Sequence, residues 1–176
     1  TALQLAEEYN NQDVVRILKV GNNKDNLNTE LLTAAGEGKQ RFVNGLITAG
    51  ADLETKDEKN NSALHISAQK GHESVVRILL LQPGIDVNIR GEDKMTPLIT
   101  AAYAGQHRVT RLLIKSGADL NLQDYRGFTA LMLAAIRWSH IRIGMELLQA
   151  GADRVIEDKD SRTALKYTKY NQNSAF

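Results

Sequence analysis

The sequence predicts an all-α solenoid, a stack of short antiparallel helix pairs joined by projecting β-hairpin fingers. Two recurring markers and one compositional habit carry that expectation. The triplet [Ser/Thr]-x-Leu opens an Ala-rich segment at residues 1, 29, 62, 96, 129 and 163, with spacings of 28, 33, 34, 33 and 34. The marker "GADLE" (50–54), "GIDVN" (84–88), "GADLN" (117–121), "GADRV" (151–155) recurs at 34, 33 and 34. After each triplet come paired small residues, Ala34-Ala35, Ser67-Ala68, Ala101-Ala102 and Ala134-Ala135. Two short helices and a finger cannot bury their apolar faces alone, but stacked copies can.

Each unit reads as the same series of elements. Ser or Thr supplies an N-cap oxygen, so first helices are expected within a residue or two of Thr29, Ser62, Thr96 and Thr129. Pro97 falls at a first helical position, where a missing N–H costs nothing. Small side chains then let neighbouring helices approach. Gly71 in "KGH" and Gly105 in "AGQ" reverse the backbone, so no helix should run on from Ala68 to Leu80. The second helix carries apolar residues at helical spacing: Val43, Leu46, Ile47; Val76, Leu79, Leu80; Val109, Leu112, Leu113. Gly50, Gly84, Gly117 and Gly151 stop it, and an extended finger leads to the next unit.

The segments "SALHISAQKGHESVVRILL" with "GIDVN" (62–88) and "TPLITAAYAGQHRVTRLLIKSGADLNLQD" (96–124) resemble ankyrin repeats. The resemblance covers nearly the whole chain as one array, with full units at about 24–56, 57–90, 91–123 and 124–157 and partial ones at 1–23 and 158–176. The first lacks a Gly-Ala-Asp finger and is similar to a closing unit, whereas "NTELLTAAGEGKQRFVNGL" (28–46) resembles an opening one. An irregular junction is therefore expected at 21–28. The last unit offers a first helix without its partner, so the natural protein is expected to continue or to be disordered there.

Composition narrows the function classes. The 176 residues are 42% hydrophobic and 24% charged, as in folded domains, and the net charge of +1 provides no field for nucleic acid. Zero cysteines remove disulfides and thiolate metal sites. The apolar run "VVRILLL" (75–81) is too short to span a bilayer. The chain opens on Thr, so the missing signal peptide carries little weight.

Candidate chemistry is sparse. His72 and His140 occupy inter-helix turns, and His107 lies just beyond one. Repeat-equivalent residues sit roughly 10 Å apart between packed helices, too far for two imidazoles to share a zinc ion. "HESVV" lacks the second His of a metalloprotease helix, and "GEGKQ" is not a phosphate loop. No metal, cofactor, catalytic residue or small-molecule substrate is expected, and an enzyme active site within the chain is not. "NNS" (60–62) fits a glycosylation sequon formally but reads as a finger descending into a cap. Resemblance to the family implies that His65 ties neighbouring units, and that Asn88 and Asn121 match asparagines which can be hydroxylated. A role in closing the finger turn is the preferred reading of both asparagines.

In the family, partners meet finger tips and the exposed ends of first helices. Those positions are polar in the 57–90 unit (Glu58, Lys59, Asn61, Gln69, Lys70). They become Met95 and Tyr103 beside Glu92 and Asp93 in the next, then Tyr125, Arg126, Phe128, Ile136 and Arg137, with Trp138 just after. Trp, Tyr and Arg are enriched at binding hot spots. Because Leu131, Ala134 and Leu147 already fill the core, Tyr125 and Phe128 are expected to be partly exposed anchors. The competing reading is that Phe128 and Trp138 pad neighbouring fingers and turns.

The resemblance implies an interaction module that offers a rigid concave surface to a protein partner, without membrane insertion, within a longer intracellular protein, cytoplasmic or nuclear. The alternative is a targeting or regulatory module of a larger enzyme or of a microbial effector delivered into a host cytoplasm, with catalysis outside this segment.

Overall fold

A computed structural model describes Gln4 and residues 12–20, 23–137 and 140–173. Its helices are α1 (Gln12–Val20), α2 (Lys24–Glu37), α3 (Gln40–Thr48), α4 (Ala63–Lys70), α5 (Glu73–Leu80), α6 (Pro97–Tyr103), α7 (His107–Lys115), α8 (Ala130–Ile136), α9 (Ile141–Gln149) and α10 (Ala164–Asn173). They form two layers. First helices α2, α4, α6, α8 and α10 stack in series, and second helices α1, α3, α5, α7 and α9 stack behind them. α1 thus takes the second-helix place of the 1–23 unit. The core between the layers is one continuous cluster, from Leu27 and Leu31 through Leu64, Leu79, Leu98 and Leu113 to Leu131 and Leu147.

The caps explain the boundaries. Thr96 and Thr129 accept from the amides of Ile99 and Met132, each at 3.3 Å, and Ser62 forms a capping box with His65. Gly71 ends α4 in the left-handed conformation (φ 77°), so α4 and α5 are separate. One expected start is corrected. α2 begins at Lys24, not near Thr29, because Asn23 Oδ1 accepts from Asp25 N at 3.0 Å and Leu27 is buried in the first turn. Thr29 lies inside the helix, its hydroxyl donating to the Asp25 carbonyl. Residues 24–28 of the expected junction are therefore helical, while Gly21 and Asn22 lie outside the described residues.

The fingers are turns rather than sheet. Among the described residues the only bridge pairs Lys56 with Ser62. Each finger closes through an aspartate: Asp52, Asp86, Asp119 and Asp153 accept from the amide two residues on. Asn88 and Asn121 do not close these turns, as the sequence had led us to expect. Their Oδ1 atoms reach the next unit and accept from the amides of Asp119 and Asp153 at 2.9 Å. Where the first unit has no finger, Asn28 supplies the acceptor for Asp52. A second ladder runs alongside: Lys56 donates to the Arg90 carbonyl, Arg90 to that of Gln123, and Gln123 to that of Glu157, at 2.7–2.8 Å.

The inter-helix turns carry a third ladder. His72 Nε2 donates to the Gly36 carbonyl at 3.0 Å, Gln106 Nε2 to that of Gln69 at 3.1 Å, and the His140 ring bonds that of Ala102. Gly36 and Gln69 are repeat-equivalent acceptors, and Ala102 lies one residue earlier in its unit, at the position of Ala35 and Ala68. The turn glycine of the preceding unit makes room: a Cβ on Gly38 or Gly105 would fall 2.7 or 2.5 Å from the His72 or His140 ring.

Candidate interaction surface

Finger tips and first-helix ends are placed by these ladders. Asp124 Oδ1 accepts from Arg126 N and Phe128 N at 2.8 Å and closes the tip, while Tyr125 N donates to the Asp93 carbonyl of the preceding finger at 2.8 Å. This tie fixes the Tyr125 backbone and turns its side chain outward; Tyr125 is 43% exposed. The Arg126 guanidinium, itself exposed, lies over the Tyr125 ring at 5.6 Å. At the end of α6, Tyr103 is 45% exposed, with Arg137 stacked on it at 5.5 Å from the next unit. The proposed positions therefore form a finger-tip pair, Tyr125 with Arg126, and a helix-end pair, Tyr103 with Arg137.

Phe128 overturns an expectation. It is only 8% exposed and belongs to the core cluster. Its ring meets Tyr167 of α10 at 5.4 Å between centroids, with the Arg126 guanidinium 4.8 Å from its centre. The physical reason is the next finger, whose backbone at Asp158–Lys159 lies so close to Gly127 that a Cβ there would fall 2.9 Å away. Core volume at this junction is thus shared with the 158–176 unit, and Leu131, Ala134 and Leu147 do not fill it alone. For Phe128, packing within the array is the structural outcome. Met95 and Ile136 are half-buried against the core, and Trp138 lies outside the described residues.

Sequence reading missed the group behind Phe128. Asp158 Oδ2 accepts from Tyr167 OH and from Arg162 Nε at 3.1 Å. Burial pushes the Asp158 carboxyl up, yet hydrogen bonds from Tyr167, Arg162 and the Asp160 amide hold it below its ordinary value. Burial and the same carboxylate push the Tyr167 phenol up. The available signal was Tyr167 itself, an aromatic four residues into the last first helix, beside a tip aspartate.

His65 ties two units as the resemblance implied. Nδ1 accepts from the Ser62 amide at 3.3 Å, and Nε2 donates to the Met95 carbonyl at 3.1 Å. Burial of this neutral ring lowers its pKa to about 4. His140 is likewise shifted down, by burial and by Arg137. Among the described residues no group of three His, Cys, Asp or Glu side chains could hold a metal, and no helix is long and apolar enough to cross a membrane.

The family profile described as Ankyrin repeats (3 copies) matches residues 2–91, 31–124 and 80–158. The chain belongs to the ankyrin-repeat family. It is similar to an ankyrin repeat-containing protein of Treponema pallidum (strain Nichols), 32% identical over 134 residues, covering 76% of this chain and 44% of that protein. It is also similar to Ankyrin repeat and KH domain-containing protein mask-1 of Caenorhabditis elegans, 35% identical over 151 residues, covering 81% and 6%. Neurogenic locus notch homolog protein 1 of Mus musculus is 31% identical over 137 residues, covering 78% and 5%. The chain thus spans less than half the length of each of these relatives. Ankyrin repeats are protein–protein interaction modules and are generally non-catalytic, and this array is one of them.

Proposed function

We propose that the array binds its protein partner along the finger tips and first-helix ends of the 91–123 and 124–157 units, within a longer intracellular protein. Tyr103 and Tyr125 are the anchors, and Arg126 and Arg137 face acidic groups. The observation that supports this is the stacking of an exposed guanidinium on each exposed tyrosine, on adjacent units. A cation–π contact at an exposed site contributes ~0.5–1 kcal/mol and holds a side chain that otherwise has about 2 kcal/mol of rotamer entropy to lose. Arg126 Nε lies 3.7 Å from Asp124 Oδ2, so Arg126 would meet a partner carboxylate through its terminal nitrogens, and the exposed Arg137 would do the same. Met95 and Ile136 form half-buried flanks of the same surface, Phe128 supports Arg126 from below, and Trp138 belongs to the surface by sequence position. Protein is the only ligand class in this reading, without cofactor or nucleic acid.

The test is titration of a partner isolated with the full-length protein against Tyr103→Ala and Arg137→Ala arrays. Loss of a hot-spot contact, ~2 kcal/mol, is about thirtyfold in Kd. An unchanged Kd for both variants would refute the surface. A second reading, a targeting module of a larger enzyme, is favoured by the small share of each relative that the chain covers. A catalytic domain in the complete polypeptide would select it.

A further inference from the structure

The net charge of +1 is the balance of two lateral edges of opposite sign. The finger segments 51–61, 85–95, 118–128 and 152–162 hold 13 acidic residues against eight basic ones. The second helices α3, α5, α7 and α9 hold six basic residues against two acidic ones. The repeat draws each excess into a row. Asp52, Asp86, Asp119 and Asp153 recur at 34, 33 and 34 along the finger bases, and all are exposed. At the other end of the second helices, Arg41, Arg108 and Arg142 stand second in α3, α7 and α9, exposed as well. In α5 that place belongs to Ser74, and the exposed Arg77 stands one turn further on.

Neither row is satisfied within the array. Among the described residues no ion pair joins the four aspartates, Arg41 or Arg142 to an opposite charge. Glu73 serves Arg77 at 2.9 Å and lies 3.9 Å from Arg108. A helix of eight or nine residues is about 12–14 Å long, beyond a Debye length of ~8 Å at physiological salt. The rows therefore cannot neutralise each other in one copy. In two copies side by side they can. Both rows carry the period of the same repeat, so they stay in register along the array. A net charge near zero leaves little long-range repulsion between copies. Further units stacked on either end would lengthen these lateral rows and cover neither. We propose that a second copy of this chain seats its finger-base aspartates on the arginine row. The contact is heterologous and leaves one row of each copy open for another. The tyrosine–arginine face at finger tips and first-helix ends takes no part.

Exposed ion pairs are individually weak and screened by salt, so the contact is driven by concentration and removed by ionic strength. Sedimentation velocity of the 176-residue chain tests it, from about 10 to 300 µM protein at about 0.05 M and then about 0.5 M salt. The weight-average coefficient should rise with concentration at the lower salt and stay at the monomer value at the higher. Joint Arg41→Gln, Arg108→Gln and Arg142→Gln substitution should abolish the rise. So should joint Asp86→Asn, Asp119→Asn and Asp153→Asn substitution, which keeps the oxygen that closes each turn. Mixed one to one, the two variants should form a heterodimer and nothing larger, because one retains the aspartates and the other the arginines. Tyr125→Ala should associate as the parent does. In the unsubstituted chain, amide shifts that grow with concentration should centre on residues 107–109, 119–121, 141–143 and 153–155, a readout independent of how any variant folds. A parent that stays monomeric at the lower salt overturns the proposal, as do shifts centred elsewhere. Association that survives the higher salt overturns it too, since the contact is then apolar. So does a variant mixture that stays monomeric, or loss of association in Tyr125→Ala.

Discussion

Two junctions of the array solve one packing problem with different chemistry. Asn61 and Phe128 are repeat-equivalent, each just before its N-cap. At the earlier junction Asn61 Oδ1 accepts from Glu92 N at 3.2 Å, and His65 Nε2 reaches Met95 O; Gly91 has no side chain, which leaves room for both. At the later one Phe128 packs on Tyr167, and a buried aspartate is bonded by phenol and guanidinium. A polar junction that needs a neutral imidazole and an apolar one that needs an ionised carboxylate hold the same backbone. Position in the repeat therefore sets where a side chain goes, and the neighbour across the junction sets what it does there.

The largest expected effect lies at the apolar junction. Phe128→Ala should cost about 3 kcal/mol or more in urea unfolding, because a buried ring leaves a cavity that Tyr167 and Arg126 cannot fill. A loss under ~0.5 kcal/mol would return Phe128 to the partner surface. Next comes acid at the polar junction. The folded His65 pKa, about 4, lies below its ordinary 6.5, so the folded state binds fewer protons. The stability it contributes is fully present above pH 6.5 and is lost as pH falls towards 4, at up to ~1.4 kcal/mol per pH unit. Denaturation midpoints should fall over that window in the parent and fall less in His65→Gln. Asp158, held below 3.8, loses its contribution only beneath that value, so the two junctions separate on the pH axis.

Tyr167→Phe should follow, at about 1.5 kcal/mol for one hydrogen bond to a charged group, with the ring contact kept. If it proves as costly as Phe128→Ala, the phenol holds the junction and the rings do not. The smallest effect belongs to Tyr125→Ala, an exposed finger residue, within ~0.5 kcal/mol in thermal unfolding. A larger loss would show Tyr125 to be part of the packing.

The period, the paired layers and the starts of α4, α6 and α8 were legible because caps, small pairs and turn glycines are local signals. The α2 start was not, since Asn23 and Leu27 compete with the more familiar Thr29. Phe128 failed for a different reason. Its burial depends on α10 and the 158–162 tip, across the junction to the next unit, whereas Leu131, Ala134 and Leu147 are the core residues that its own unit displays. Tyr103 and Tyr125 were read correctly as exposed, for among the described residues no helix or finger backbone covers them. The Arg137–Tyr103 stack crosses units and could not be read from either alone.

The ladder from His72, Gln106 and His140 always points backwards, from a later unit's turn to the carbonyls of the one before. During synthesis, then, a unit leaving the ribosome is sealed only by the one that follows. At about 5–20 residues per second, each new repeat of some 34 residues emerges over roughly 2–7 s. Growth of this array is a ratchet with one click per repeat, in which each turn glycine waits, uncovered, for a side chain still to be made.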